Sequence, residues 1–147
     1  MDRKYLPVVS FLMVLVFGVG ISMLFFGQGE VASKVNWMYE YDEGLRKARG
    51  ERKLVLLDFY ADWCGWCKRL DRDTFNDDGV ASYLNDELVC IKIDTERNVG
   101  LARNYDVSSL PVIIFLSSDG GEVKRIRGYL PPASFLEQVM VVVSQYG

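Results

Sequence analysis

Leu54-Val55-Leu56-Leu57-Asp58-Phe59-Tyr60 is nearly unbroken apolar sequence, and Cys64-Gly65-Trp66-Cys67 follows within a few positions. A short continuous apolar run of this kind reads as a central strand covered on both faces. The segment after it, Cys64 to Phe75, reads as a helix with Leu70 and Phe75 turned inward. A buried strand that hands over to a helix in so few residues commits the chain to a layered α/β architecture. It also places the first thiol beside the free amides at the helix N-terminus, where the positive end of the dipole stabilises a thiolate. Cys64 is therefore the expected attacking nucleophile, and Cys67, one turn later, the thiol expected to resolve a mixed disulfide.

Other uses of the pair are narrowed by counting. The 147 residues contain no histidine and three cysteines. That excludes Ser-His-Asp hydrolysis, Cys-His proteolysis, and His-ligated zinc or haem. A haem attachment motif needs histidine after the second cysteine, and Lys68 stands there. A zinc ion shared between chains and a purely structural disulfide remain as alternatives. No metal or other cofactor is expected within one chain. Net charge is -3 and no Lys/Arg-rich run occurs, so a phosphate-backbone footprint is lacking and nucleic acid is not an expected partner.

The N-terminal end carries a different constraint. Between Tyr5 and Glu30 there is no charged side chain, and the 21 residues from Leu6 to Phe26 are almost wholly apolar. As a helix rising ~1.5 Å per residue this run would cross a hydrocarbon layer of ~30 Å, whereas a secretory h-region is usually ~7–15 residues. We expect residues 1–27 to be a cytoplasmic stub and single-pass signal anchor. Arg3 and Lys4 precede it, which keeps the short end in the cytoplasm and sends the remainder to the extracytoplasmic side. A cleaved signal peptide is the alternative, with small residues at Gly27, Gly29 and Ser33. Residues 28–34 read as a polar tether and 35–147 as one domain, since two large domains do not fit in this length.

Within that domain, Trp37, Met38, Tyr41, Leu45 and Ala48 recur at helical steps, predicting a helix over Asn36–Arg49 that Asn36 caps and Gly50 stops. Asp78–Leu84 reads as a second short helix after a break near Asn76, Leu88–Asp94 as a strand, and Val99–Tyr105 as a short helix. Strands Pro111–Leu116 and Val123–Arg127 flank an Asp119-Gly120-Gly121 turn, a strong hairpin signal. Pro132 opens a last helix over Ala133–Ser144. The order predicts an α/β fold with a mixed central sheet and helices on both faces. Asp58 is costly to bury ionised without a partner, so a raised pKa is expected, unless it lies at a strand end and reaches solvent. Asp71, one turn beyond Cys67, reads as solvated helix surface or as a second acid of the same kind. Cys90, among Val and Ile, reads as an inert buried thiol.

The segment from Leu57 through Lys68 resembles the active-site region of the thioredoxin superfamily, most of all the thiol-donating domain of membrane thiol:disulfide interchange proteins of the DsbD type. The resemblance covers about Val35 to Tyr146. It has further anchors in Val107-Ser108-Ser109-Leu110-Pro111-Val112, which matches the family's cis-proline segment, and in Gly128. Trp66 departs from thioredoxin itself, which has proline there. The resemblance implies a thioredoxin-like fold, a role for Asp58 in moving the proton of the resolving thiol, and a cis Leu110–Pro111 bond. Sequence alone favours trans, since cis bonds are only ~5% of X-Pro bonds. A cis bond would turn the Leu110 backbone toward the sulfurs for a substrate strand. Trp63, Gly65 and Trp66 complete the expected substrate rim around Cys64, although ordinary packing is the better reading of Trp63. The resulting expectation is a membrane-anchored oxidoreductase that reduces protein disulfides and draws electrons from a membrane donor protein. A disulfide oxidase or isomerase with the same residues, and a redox-inactive binding or chaperone module, are the alternatives.

Overall fold

The structure is a computed structural model that describes residues 33–147. The expected membrane span lies outside the described residues; among those described, no helix is long and apolar enough to cross a membrane. The elements run α1 (Tyr41–Glu51), β1 (Leu54–Tyr60), α2 (Gly65–Arg69), a π-helical turn (Leu70–Phe75), α3 (Asp78–Glu87), β2 (Leu88–Asp94), α4 (Val99–Asn104), β3 (Val112–Leu116), β4 (Glu122–Arg127) and α5 (Pro132–Tyr146). The sheet order is β2-β1-β3-β4. β1 pairs with β2 in parallel and with β3 antiparallel, and β3 with β4 antiparallel. This is the mixed sheet that the order of elements predicts.

Strand alternation divides the core into two layers. Leu54 and Leu56 of β1 face one side, with Leu70, Phe75, Val80, Leu84, Phe135 and Val139 from the turn, α3 and α5. Val55, Leu57 and Phe59 face the other, where Ala48 of α1 and Ala102 of α4 pack. Phe75 sits edge-on to Phe135 at 5.5 Å and to Trp37 at 4.9 Å. Each such enclosed side chain contributes roughly 1.5–3 kcal/mol. α1 approaches β2 so closely that a Cβ on Gly44 would collide with the Ile91 side chain, so the helix–sheet spacing depends on that glycine.

Two predicted elements come out differently. The first helix begins at Tyr41 rather than Asn36, and its stop is Arg52 in the left-handed region at φ 55° rather than Gly50. Residues 36–38 are not helical, and Met38 instead bridges to β2: its N–H donates to Cys90 O at 2.9 Å, and Lys92 N–H donates to Met38 O at 2.8 Å. Capping the open edge of β2 satisfies backbone groups that a helix there would leave bare. The expected tether also starts its docking early. Lys34 pairs with Asp78 at 2.7 Å, and Asn36 N–H donates to Asn85 Oδ1 at 2.8 Å.

The helix after Cys64 is likewise not regular. It widens at Leu70–Phe75, where Asn76 N–H reaches back five residues to Asp71 O at 3.1 Å. The wide turn lets Leu70, Thr74 and Phe75 all enter the core, with Thr74 Oγ1 donating to Leu130 O at 2.7 Å. π-Turns inside helices recur at functional sites.

Candidate active site

Cys64 caps α2 in an extended conformation, and its sulfur accepts the Cys67 N–H at 3.1 Å. An amide aimed at this sulfur, together with the dipole of the helix it opens, stabilises negative charge there once the bond is reduced. Cys64 and Cys67 form a disulfide with Cα atoms 5.3 Å apart. The expected contrast between an open first cysteine and an enclosed second is slight in this closed form, at 5% and 3% exposure. Ala61, Tyr60 and Leu110 pack around the pair.

Leu110–Pro111 is cis, as the family resemblance implies. Pro111 is buried and Leu110 half-buried, and Gly128 N–H donates to Pro111 O at 2.9 Å, joining the proline segment to the end of β4. Gly128 makes that turn at φ +83°, a conformation that L side chains rarely adopt. Trp63 is 70% exposed, held by a hydrogen bond from its Nε1 to Glu96 at 3.1 Å. It is therefore not a core residue, which leaves surface packing or a place on the rim. Trp66 is also exposed, and Gly65 stands open, with space for a Cβ. Of the rim residues named from the sequence, Trp66, Leu110 and Pro111 bound one cleft, and Leu110 also packs against the cluster that holds the disulfide.

Asp58 is 2% exposed and shares the face of β1 that carries Leu54 and Leu56. The strand-end alternative is excluded by that burial. The residue opposite it in register is Lys92, whose Nζ lies 3.2 Å from Asp58 Oδ2. The same ammonium is bonded to Asp71 and lies over the rings of Trp37 and Tyr60 at 4.9 and 5.0 Å. Desolvation outweighs this attraction, so the Asp58 pKa is raised from 3.8 to about 6, with Asp71 adding to the rise. Among the described residues, Asp58 Oδ1 has no hydrogen-bond partner. Asp71, with 40% of its side chain still exposed, is both helix surface and one arm of a carboxylate–ammonium–carboxylate group. Lys92 was missed from the sequence, although it and Asp58 are the lone charged residues within their two apolar strand interiors. Cys90 is buried as expected, and burial pushes its thiol up to about 12.

Two more residues join the site unannounced. Tyr129 stacks 5.8 Å from Trp66, and the guanidinium of Arg69 lies against both rings. Among the described residues no group of His, Cys, Asp and Glu side chains is arranged to hold a metal ion. What the arrangement can do chemically is thiol–disulfide exchange: a sulfur at a helix N-terminus and a second sulfur one turn away in bonding reach.

Residues 41–140 match the thioredoxin-like domain family. The thiol:disulfide interchange protein DsbD of Vibrio vulnificus strain CMCP6 is 36% identical over 112 residues, which are 72% of this chain and 19% of that protein. The Salmonella typhimurium DsbD is 35% identical over 101 residues, 65% of this chain and 18% of that one. The chain therefore spans about a fifth of the length of these curated relatives. Among solved structures, a thioredoxin from Thermus thermophilus superposes with a TM-score of 0.70 at 28% identity, covering 78% of this chain and 91% of that one. A DsbH oxidoreductase gives a TM-score of 0.67 at 20% identity, covering 80% and 91%, a likeness of fold. With its sheet order, cis-proline and dithiol in the matched region, the chain belongs to the thioredoxin-like family.

Proposed function

We propose that the chain is a thiol:disulfide oxidoreductase that reduces protein disulfides on the extracytoplasmic side of a membrane, to which residues 1–27 anchor it. The observation that carries the reading is the Cys64 sulfur at the N-terminus of α2, accepting an amide hydrogen bond, with Cys67 in bonding reach. In the reduced form the Cys64 thiolate attacks one sulfur of a target disulfide. A Cys64–target bond forms, and the other target sulfur leaves as a thiolate. Cys67, its proton passed to Asp58, then attacks Cys64, and the second target thiol departs. The dithiol has lost two electrons and the target has gained them.

Reduction is favoured as the direction because no histidine lies between the cysteines to stabilise the thiolate strongly. A reductase outside the cytoplasm needs its own dithiol restored, which supports a membrane electron-donor protein as partner. The names of the DsbD relatives accord with such exchange. Trp63, Gly65, Trp66, Leu110 and Pro111 are proposed to receive the target strand.

Equilibration with glutathione tests direction: a potential near ~-120 mV would identify an oxidant instead. Cys67→Ser tests the chemistry. An exchanger accumulates mixed disulfides through Cys64, and a redox-inactive binding module accumulates none. Resistance of the full chain to alkaline extraction tests the anchor, which release at reduced mass would refute.

A further inference from the structure

Beside the disulfide, a cleft of about 310 Å³ is bounded by Trp66, Leu110, Pro111, Gly128 and Tyr129. Its volume is at the low end for ligand sites, which suits one bulky side chain rather than a cofactor. Its two aromatic walls do not stand free. The Arg69 guanidinium lies 4.8 Å from the Tyr129 ring and 5.4 Å from that of Trp66, so one cation braces both. The brace is itself held from behind, Arg69 Nε lying 3.3 Å from Asp73 Oδ2. Arg72 straddles the same carboxylate, donating to Oδ1 at 2.8 Å and to Oδ2 at 3.3 Å, so two cations share one anion and this side of the rim is positive. On the Trp63 side, the rim carries Asp62 and Glu96 instead.

We propose that this cleft is a selectivity pocket for an extended cysteine-bearing segment of the target protein, taking a bulky apolar side chain between Trp66 and Tyr129 and a carboxylate beside Arg69. The inference deepens the reductase reading and rests on it for the identity of the occupant. Three features support that occupant. The cleft is continuous with the disulfide through Leu110, which packs against the cluster of Ala61, Cys64 and Cys67 as well as lining the pocket. An aromatic or branched side chain entering between two rings gains both apolar burial and edge or face contacts. The charge difference across the disulfide orients the segment, acidic end toward Arg69. Tyr129 and Arg69 act here as selectivity residues and take no part in the sulfur chemistry.

The test uses the oxidised full chain in lipid nanodiscs, labelled with 5-fluorotryptophan. Its three tryptophans, Trp37, Trp63 and Trp66, give separately assignable signals. The probes are nine-residue peptides with serine in place of the cysteine, so no exchange occurs. They carry Phe or Ala at one neighbouring position and Glu or Lys at another. The Trp66 signal should report the Phe/Glu peptide binding about tenfold more tightly than Ala/Glu. Exchanging Glu for Lys should weaken binding about two- to fivefold, a difference that disappears in high salt. Tyr129→Ala should bring the Phe/Ala ratio near one, and Arg69→Gln should remove the Glu preference while retaining that for Phe. An unmoved Trp37 signal, from a ring packed on Phe75, certifies the fold of each variant. Equal binding of Phe and Ala peptides, a response at Trp63 instead of Trp66, or an unchanged ratio in Tyr129→Ala overturns the proposal. Failure of the reduced chain to reduce a small aromatic disulfide would end the reductase reading while a Phe preference left the pocket standing.

Discussion

Replacing Asp58 by Asn should stabilise the folded chain at neutral pH and leave it unchanged in acid. In the fold this carboxyl titrates at about 6 instead of 3.8, because burial opposes its charge more than Lys92 favours it. The folded state therefore holds the proton longer than the unfolded chain does. From Asp58, stability is greatest below about pH 4, declines as the pH rises toward about 6, and is lowest above that. A difference of about two pH units is worth about 3 kcal/mol at ~1.4 kcal/mol per unit. Asn imitates the protonated acid and escapes the penalty, so Asp58→Asn should gain up to about 3 kcal/mol at pH 7.5 and almost nothing at pH 3.5. Lys92 keeps Asp71 as a partner in the variant, which limits the loss from breaking the pair. The assay is urea unfolding of oxidised wild type and variant at a series of pH values and fixed salt. Titrations common to both proteins cancel in the difference. A difference that stays flat between pH 3.5 and 7.5, or that favours the wild type at the upper end, would refute the argument.

Asp71→Asn should move the Asp58 titration to lower pH, because it removes a repelling charge and leaves Lys92 to Asp58 alone; the acid limb of the pH profile for target reduction reports it. Lys92→Met should do the reverse and cost about 3–5 kcal/mol at neutral pH by stranding a buried carboxylate, measured by the same unfolding assay. Phe135→Ala, at a fully enclosed position, should cost about 3–5 kcal/mol. Gly44→Val should destabilise by about 1–3 kcal/mol through its clash with Ile91. Cys90 should resist iodoacetamide at pH 8 in the folded chain and react on unfolding, read by intact mass.

Central strands were the most legible part of the sequence. β1 and β2 occupy the residues predicted because unbroken apolar runs flanked by polar turns leave little choice of boundary. The first helix was overextended for a reason that periodicity cannot detect. Trp37 and Met38 fall in step with Tyr41, Leu45 and Ala48, but an open sheet edge claims the backbone of Met38. Competition between local pattern and a distant partner was decided by tertiary pairing. The same distance hid Lys92: that it faces Asp58 depends on the register of two strands thirty-four positions apart. The cysteine pair was evident from local order, whereas the cis bond was foreseeable only through resemblance. Tyr129 and Arg69 were invisible because their meeting depends on the turn at Gly128 returning β4 to the tip of α2.

The clasp that Met38 makes on β2 also guards a border. With its N–H given to Cys90 and its carbonyl taken by Lys92, this side of the sheet offers fewer bare amides on which a second copy could add a strand. Peeling that short segment away would turn the border into a template for self-association.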